Sequence, residues 1–349
     1  DVWEFQRNRY GEPHKRLTFG ELRANNPTLR PVVIEGWLRE GETGNLISYS
    51  KVGKSWMAYL IALSVIIGRP LFGQLAPRMG RVLLIDNELH RETLAYRIRE
   101  VANSMGLSPP EYESDLEILS LRGRLKSLAD VAADLRESVE HGDFSLLIWD
   151  AKYRFAMPGV SENDNAAAAM DYNLLDEIGN HTGAANLLIH HASKGNQSDK
   201  RITDVGAGAG AQSRAADCHL VLREHEIDGI CVLDSVVRSF APSPPLALQW
   251  NFPLWLPADG IDTAKLKGRM TANEQRQVDR DKEGVDAIIK ALLDGPATAR
   301  QLRSKTSMSR DRQERLLAKL ESEGHITHST TIIRGNECDE YQLAEQPEH

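Results

Sequence analysis

A strand, a loop of small residues and an apolar helix follow one another over residues 44–68, and this succession constrains the fold more than any other stretch of the chain. The loop ends in Gly53-Lys54-Ser55, where the helix begins. The first N–H groups of a helix have no acceptor within the helix and lie at the positive end of its dipole, so they can bind phosphate oxygens. In this context the motif predicts a phosphate-binding loop.

The side chains of this loop suit ATP with Mg²⁺. Lys54 adds a positive charge for the β- and γ-phosphates, and the Ser55 hydroxyl can ligate Mg²⁺. Ser48 stands where the motif has its first glycine, and a positive φ there would be more costly for serine than for glycine. A chance Gly-Lys-Ser at a helix start is the alternative. The residues predicted to contact the nucleotide are Ser50, Lys51 (its side chain in solvent), Val52, Gly53, Lys54, Ser55, Trp56 and, from a later strand, His190.

Two apolar runs, typical of strands buried on both faces of a parallel sheet, end in acidic residues. One is followed by Asp86 and Glu88, and the other by Asp150. Carboxylates at the C-terminal ends of parallel strands point into the crevice where ligands bind. We expect Glu88 to orient and activate water, and Asp150 to hold Mg²⁺ through water. The structural alternatives are a helix cap at Asp86 or Asn87 and a turn cap at Asp150.

His190 and His191 follow a further apolar run, at the same predicted edge of the sheet. This position suggests a γ-phosphate sensor, with His191 the better candidate. Metal binding is disfavoured because no Cys or Glu stands near the pair at ligand spacing. The glycine-rich loop 206–210 is expected to be mobile and to contact a ligand in the central channel of a ring, or to be a plain surface loop.

Composition limits the classes of partner. The chain has 349 residues, 41% of them hydrophobic, which is enough for one large core and a small appended domain. A formal net charge of −8 excludes DNA binding by bulk charge, so any DNA contact needs a local basic surface. Cys218, Cys231 and Cys338 lack metal-ligand spacing and indicate reduced thiols in a cytoplasm. No apolar run is long enough to predict a membrane span, and no signal peptide is visible.

Three helices and a β-hairpin are predicted near the C-terminus, a succession that matches a winged helix-turn-helix. The third helix carries basic residues that can face a DNA major groove, but acidic residues dilute this charge, so a protein-binding winged helix is the alternative. The basic residues are Arg310, Arg312, Arg315 and Lys319, and the acidic ones are Asp311, Glu314, Glu321 and Glu323.

The predicted organisation has four parts. They are an N-terminal adapter arm (1–30), an ATPase domain (31–258), a polar linker (259–280) and a winged-helix domain (281–345). The arm is expected to lie on a neighbouring subunit or to be a floppy tail. Within it, Thr18 and Glu21 have the spacing of a capping box.

The order of these motifs carries a family resemblance. The phosphate loop, Glu88, Asp150, the run His190-His191-Ala-Ser-Lys194 and a glycine-rich loop resemble the RecA-like ATPases of the RepA-type hexameric replicative helicase group, found on plasmids, phages and other mobile elements. The resemblance spans roughly residues 17–256. It implies an α/β fold, a RecA-like P-loop core with a mostly parallel central sheet, to which the winged helix is added.

The resemblance also implies roles for single residues. It assigns phosphate binding to Lys54, metal binding to Ser55 and Asp150, catalysis to Glu88 and sensing to His191. Such rings complete each ATP site with an arginine from the next subunit, for which Arg214 is the closest match. Family members often have Arg in the glycine-rich loop where this chain has Ala207, so Arg223 is held in reserve.

Two functions from different classes fit these observations. The first is a Mg²⁺-ATP hydrolase that forms a ring, expected to have six subunits, holds single-stranded DNA in its channel and separates strands. The second is a regulatory DNA-binding protein in which ATP switches assembly, the winged helix finds a duplex site and no unwinding occurs. A partner-recruiting scaffold in a mobile-element or defence system also fits.

Overall fold

The computed structural model describes residues 16–49, 52–124, 126–155, 164–192, 202, 205, 214–268, 272–333 and 336–344. The chain divides into two compact units, Asp1–Arg269 and Met270–His349. Each unit has its own hydrophobic core. The functional residues predicted around the phosphate loop all belong to the first unit.

The first unit alternates strands and helices. Its helices are α1 (Phe19–Asn25), α2 (Lys54–Ile67), α3 (Arg91–Ser104), α4 (Leu128–Ser138) and α5 (Asn165–Thr182). Its strands are β1 (Val32–Ile34), β2 (Leu38–Arg39), β3 (Thr43–Ser48), β4 (Val82–Asp86), β5 (Leu116–Ser120), β6 (Leu146–Asp150), β7 (Ala185–His191), β8 (Cys218–Glu224), β9 (Ile230–Val237), β10 (Leu246–Asn251) and β11 (Leu254–Pro257). Short 3₁₀ turns occupy Pro109–Glu111 and Lys152–Phe155.

Within the described residues, nine strands form one sheet in the order β11-β10-β9-β8-β3-β7-β6-β4-β5. The strands from β8 to β5 in this order run parallel, and β9, β10 and β11 add an antiparallel edge. The predicted α/β class with a mostly parallel central sheet is therefore confirmed. Strand β11 was not predicted from the sequence.

Both faces of the sheet are covered by helices, which explains why its strands are continuous apolar runs. In β4, Leu84 packs into the core that contains α2 and α3, whereas Leu83 and Ile85 pack into the core that contains α4 and α5. Helix α2 is buried almost all round, as predicted, and it ends at Gly68 in a left-handed conformation.

The N-terminal helix α1 begins with the predicted capping box. The Thr18 hydroxyl accepts a hydrogen bond from the Glu21 N–H at 3.2 Å, and the Glu21 carboxylate accepts one from the Thr18 N–H at 2.8 Å. The helix has no buried residue. Its docking on a neighbouring subunit stays a prediction, and residues 1–15 of the arm lie outside the described residues.

The second unit contains three helices and a small sheet. The elements are α6 (Ala272–Leu293), β12 (Ala297–Thr298), α7 (Ala299–Thr306), α8 (Arg310–Ser322), β13 (Ile326–Ile333) and β14 (Asn336–Leu343). The strands pair in the order β12-β14-β13. The helices bury apolar residues such as Ile288, Leu302 and Leu317 in a common core.

The predicted linker 259–280 is wrong at both ends. At its start the chain still belongs to the first unit, because Leu266 is buried and the Lys267 N–H donates to the Glu224 carbonyl at 2.9 Å. At its end α6 begins at Ala272, thirteen residues before the predicted helix start at Val285. Charged and amide side chains are good helix formers, so a polar stretch without an apolar stripe does not exclude a helix.

Candidate functional site

The strand order brings the carboxyl ends of four parallel strands together. Strand β7 lies between the phosphate-loop strand β3 and β6, so His191 is the register partner of Ser48. On the other side, Asp86 of β4 is the register partner of Asp150 of β6. The predicted phosphate, sensor and acidic residues therefore lie along one edge of the sheet.

A cavity of about 510 Å³ opens at this edge, in front of the first turn of α2. The predicted site residues that line it are Val52, Gly53, Lys54, Ser55, Trp56, Glu88, Asp150 and His191. Ser50, Lys51, Lys194 and the loop 206–210 lie outside the described residues.

Gly53 is a position where the backbone requires glycine. Its φ is +101°, and a Cβ there would lie 3.2 Å from Trp255 Nε1. Ser48, which replaces the first glycine of the motif, is instead the last residue of β3 and is extended. The strain expected for serine in a left-handed conformation therefore does not arise at this position.

Lys54 is buried, with 6% of the residue exposed, and its ammonium group turns back over the loop. Its Nζ donates to the Ser48 carbonyl at 2.9 Å and to the Tyr49 carbonyl at 2.8 Å. Burial lowers the pKa of Lys54 to about 8, and the charges of Asp150 and Glu88 oppose this shift. The side chain is thus a desolvated cation that faces acidic groups and a cavity.

Asp150 is fully buried at the end of β6. Burial raises its pKa to about 7. The nearby Ser55 hydroxyl opposes this shift, and the charges of Asp86 and Glu88 add to it. Neither carboxylate oxygen of Asp150, nor Oδ2 of Asp86, has a hydrogen-bond partner in the described part of the chain. Buried acceptors without donors suit a cation or its bound water.

The donor set fits Mg²⁺ held together with phosphate. The described ranges contain no group of three or more His, Cys, Asp or Glu side chains that would hold a metal by themselves. Mg²⁺ usually keeps several waters and binds through one or two protein groups plus substrate phosphates. Ser55 and Asp150 are the residues that would hold it here.

Asp86 does not cap helix α3. Its Oδ1 accepts hydrogen bonds from the N–H groups of Glu88 at 3.0 Å and Leu89 at 2.8 Å, and the helix N-cap is His90, without a side-chain cap. The alternative of a helix cap at Asp86 or Asn87 is therefore wrong, because the chain makes a turn of its own before the helix begins. Asp86 holds the loop that carries Glu88.

The two histidines differ in position. His191 lines the cavity, with its Nδ1 3.3 Å from Lys54 Nζ and its ring 5.3 Å from that of Tyr153. His190 is buried outside the cavity lining, and its Nδ1 lies 2.9 Å from the His191 carbonyl oxygen. His191, but not His190, is thus among the described residues that line the cavity, and the nucleotide contact of His190 stays a prediction.

The two candidate arginines also differ. Arg214 is exposed, and its carbonyl oxygen accepts a hydrogen bond from Arg238. Arg223 donates to Asp234 Oδ2 from Nε at 2.9 Å and from Nη2 at 2.5 Å, with only 14% of its side chain exposed. Neither arginine is among the described residues that line the cavity.

The sequence analysis named Trp56 but missed the aromatic cluster that surrounds it beside the phosphate loop. Trp56 lies 6.2 Å from Trp250 and 5.2 Å from Phe252, and Trp250 lies 5.1 Å from Trp255 (ring centroids). The Arg97 guanidinium lies 5.1 Å from the Trp56 ring centroid. The sequence carries a signal for this cluster, because Trp250, Phe252 and Trp255 stand close together in the chain. Their contact with Trp56 depends on β10 and β11 lying beside α2.

The comparisons with known proteins agree with this geometry. The family model described as AAA domain (AAA_25) matches residues 8–197, more than half of the chain. The chain belongs to this AAA domain family. The match includes the phosphate loop, Glu88, Asp150 and His191, and it ends before Arg214 and before the second unit.

Solved structures also resemble the chain of this AAA domain protein. A RadB recombinase shares 17% identity with a TM-score of 0.46, covering 63% of this chain and 92% of that one. A second structure, described as an ATPase domain, shares 12% with a TM-score of 0.49, covering 64% and 86%. A KaiC-like protein from Pyrococcus horikoshii OT3 shares 16% with a TM-score of 0.45, covering 65% and 93%. No curated protein matches the chain.

Family membership and the sheet order agree with the predicted P-loop ATPase core. An ATPase of this type binds a nucleotide, and the cavity at the head of α2 has the helix N-terminus that suits phosphate. No helix among the described residues is both long enough and apolar enough to cross a membrane.

The pKa of Asp150 predicts a pH-dependent effect on stability. Its folded-state value of about 7 lies above the usual 3.8, so the cost of ionising it in the folded chain is absent below pH 3.8, grows with pH and is complete above pH 7. We expect Asp150→Asn to increase the free energy of unfolding of the nucleotide-free protein more at pH 8 than at pH 5, by roughly 2 kcal/mol. Urea unfolding followed by tryptophan fluorescence measures this difference.

Asp115→Asn is the control, because the Asp115 side chain is 46% exposed. It should change stability little and equally at both pH values. A gain for Asp150→Asn that is the same at pH 5 and pH 8, or a loss at pH 8, would contradict the assigned pKa.

Proposed function

We propose that this chain is a Mg²⁺-dependent ATP hydrolase that assembles into a hexameric ring and acts on DNA, as a replicative-type helicase of a mobile element. The observation that carries the hydrolase is the convergence of Lys54, Glu88 and Asp150 on one cavity at the head of a buried helix. The helicase part rests on the order of motifs from the phosphate loop to Arg214.

The residues of the cavity have separate roles in the binding and hydrolysis of ATP in this proposal. The N–H groups at the start of α2 and the Lys54 ammonium bind the phosphates. Ser55 and Asp150 would hold Mg²⁺, which would neutralise phosphate charge. Glu88 orients the attacking water and accepts its proton. His191, beside Lys54, responds to the γ-phosphate. The aromatic faces of Trp56 and Trp250 provide a stacking surface for the planar base.

A neighbouring subunit completes the site in this proposal. Among the described residues that line the cavity, Arg97 is the one arginine, and it lies over the ring of Trp56 in the aromatic cluster. The other lysine of the lining, Lys267, lies 3.5 Å from Asp228, and we infer that the arginine at the γ-phosphate comes from the next subunit. The exposed Arg214 is the better candidate, because Arg223 is already bound to Asp234.

A second candidate function is supported by the charges of the C-terminal unit, for which we keep the winged-helix assignment as a proposal. All four basic side chains of α8 have acidic partners. Arg310 pairs with Glu314, Arg312 and Arg315 with Asp281, and Lys319 with Glu323. Paired cations contribute less to phosphate binding, so this unit fits a partner-binding role in an ATP-switched protein that does not unwind DNA.

Two substitutions test the hydrolase. We expect Lys54→Ala to abolish ATP hydrolysis, because it removes the cation at the phosphates. Glu88→Gln should retain ATP but hydrolyse it at least about 100-fold more slowly, since an amide cannot accept the proton. Phosphate release and the binding of a fluorescent ATP analogue measure the two effects. Glu92→Gln, at an exposed glutamate in the first turn of α3, is the matched control. Full-rate hydrolysis by the Glu88 variant would reject its role.

A forked DNA duplex distinguishes the two functions. A ring helicase should release the labelled strand in the presence of ATP and Mg²⁺, and the Glu88→Gln protein should bind the fork without releasing the strand. Gel electrophoresis of the products measures release. ATP-dependent binding by the wild-type protein without any strand release would favour the second candidate.

The ion pairs of α8 predict the effect of removing residues 270–349. We expect duplex affinity to keep the same dependence on salt concentration, because the cations of α8 are already neutralised by acidic side chains. Fluorescence anisotropy titrations over a range of salt concentrations measure the slope. Each lost phosphate contact would lower the slope by about 0.9. A decrease in the salt slope equivalent to two or more phosphate contacts would show that this unit binds DNA directly.

A further inference from the structure

Asn87 lies between the acidic ends of β4 and β6 and connects them. It is buried, with 6% of the residue exposed. Its main-chain N–H donates to the Asp150 carbonyl oxygen at 2.9 Å, and its Oδ1 accepts a hydrogen bond from the Ala151 N–H at 3.0 Å. One residue of the β4 loop therefore holds the main chain at Asp150 and at the residue after it.

The orientation of the Asn87 amide follows from its partner. A backbone N–H can only donate, so Oδ1 must face Ala151 and Nδ2 must point the other way. Nδ2 is buried and has no hydrogen-bond acceptor in the parts of the chain that the structure describes. A buried donor without an acceptor is unfavourable, so this position is not explained by stability alone.

The loop that follows Asn87 is held on both sides of Glu88. Arg154, in the 3₁₀ turn after β6, donates from Nη1 to the Asn87 carbonyl oxygen at 3.1 Å. Asp86 accepts the N–H groups of Glu88 and Leu89, and Arg122 donates to the Glu88 carbonyl oxygen. The main chain around Glu88 is therefore connected at several points, and the contacts of Asn87 are those that join it to β6.

We propose that Asn87 is a positioning residue, which sets the loop carrying Glu88 relative to the strand end carrying Asp150. The proposal rests on the hydrolase function given above and deepens it. Asn87 is not among the residues that line the cavity, so it acts through its neighbours. Loss of Oδ1 removes the side-chain bond to Ala151 and leaves the main-chain bond from the Asn87 N–H to the Asp150 carbonyl. The water-orienting carboxylate and the metal-side carboxylate are then held less firmly relative to each other, while the phosphate loop on β3 and α2 is unaffected.

Asn186 provides a matched control. It is also buried, and its side chain makes two hydrogen bonds, accepting from Trp149 Nε1 at 3.0 Å and donating to the Leu175 carbonyl at 3.1 Å. Its register partners are Thr43 and Leu147, towards the amino-terminal ends of their strands and away from the cavity. Asn186→Ala should lower the thermal midpoint without disturbing the loop that carries Glu88, because its hydrogen bonds go to Trp149 and Leu175 and none goes to that loop.

Hydrogen exchange of the nucleotide-free protein tests the connection without any need for activity. Mass spectrometry of peptides covering residues 84–92 and 148–155 should show faster exchange in both peptides for Asn87→Ala. Asn186→Ala should leave peptide 84–92 unchanged, whereas peptide 148–155 contains its partner Trp149 and is not part of this control. Asn87→Asp keeps the acceptor oxygen, so it should restore protection in peptide 148–155. Unchanged exchange in Asn87→Ala would overturn the proposal, whether or not the wild-type protein hydrolyses ATP.

Kinetics then tests the consequence for the reaction. We expect Asn87→Ala to lower kcat by about 10- to 100-fold, as for a small misplacement of reacting groups, while the Kd for an ATP analogue stays within about two-fold. Asn186→Ala should leave kcat within about two-fold. Faster exchange together with an unchanged kcat, or a rise in Kd as large as the fall in kcat, would show that Asn87 does not position the groups that act on water. A wild-type protein that binds ATP without hydrolysing it would instead reject the hydrolase function itself.

Discussion

The desolvation of two opposite charges at one sheet edge is the constraint on which the rest of this structure depends. Lys54 and Asp150 are both buried, and each is shifted towards its neutral form, the lysine to a pKa of about 8 and the aspartate to about 7. Their mutual attraction opposes these shifts without cancelling them, because burial contributes more than the attraction does. A polyanion that carries a divalent cation supplies what both groups lack, namely negative charge beside the ammonium and positive charge beside the carboxylate. The carboxylate oxygens of Asp150 and Asp86 that find no donor among the described residues point to the same kind of ligand.

The strand order turns separate stretches of sequence into this one site. Because β7 lies between β3 and β6, a histidine reaches Lys54 from one side, while the acidic pair Asp86 and Asp150 adjoins on the other. In the sequence alone, each of these motifs could have either a functional role or a structural one, such as a helix cap or a turn cap. Their convergence on a single cavity reduces those alternatives, since a turn cap has no need to line a cavity together with a phosphate loop. The loop between β4 and α3 is held in place by Asp86, Asn87 and two arginines, so the direction of Glu88 is set by main-chain contacts.

The second unit has a different electrostatic character. Its basic residues on α8 form ion pairs with acidic side chains. Asp281 on α6 accepts hydrogen bonds from Nη1 and Nη2 of Arg315, each at 2.8 Å. Such a bidentate pair holds two helices together as well as neutralising charge. The positive face expected from the spacing of arginines along the helix is therefore partly a helix–helix contact. Charge counted along a sequence overstates what a surface presents, because some partners, such as Asp281 for Arg312 and Arg315, come from another element.

The sequence by itself determined the α/β class, the phosphate loop and the acidic ends of β4 and β6, because apolar runs, glycines and helix starts are local features that follow from backbone geometry and periodicity. It also located His191 correctly at a strand end. Only the tertiary structure decided which strand ends adjoin, that Arg223 is bound to Asp234, and that Trp250 and Trp255 face α2. The tertiary structure also decided the position of His190 outside the cavity lining and the early start of α6, which covers residues 272–280 of the predicted linker. These outcomes depend on strand order and on side-chain partners far apart in the chain, and neither has a signature in local sequence.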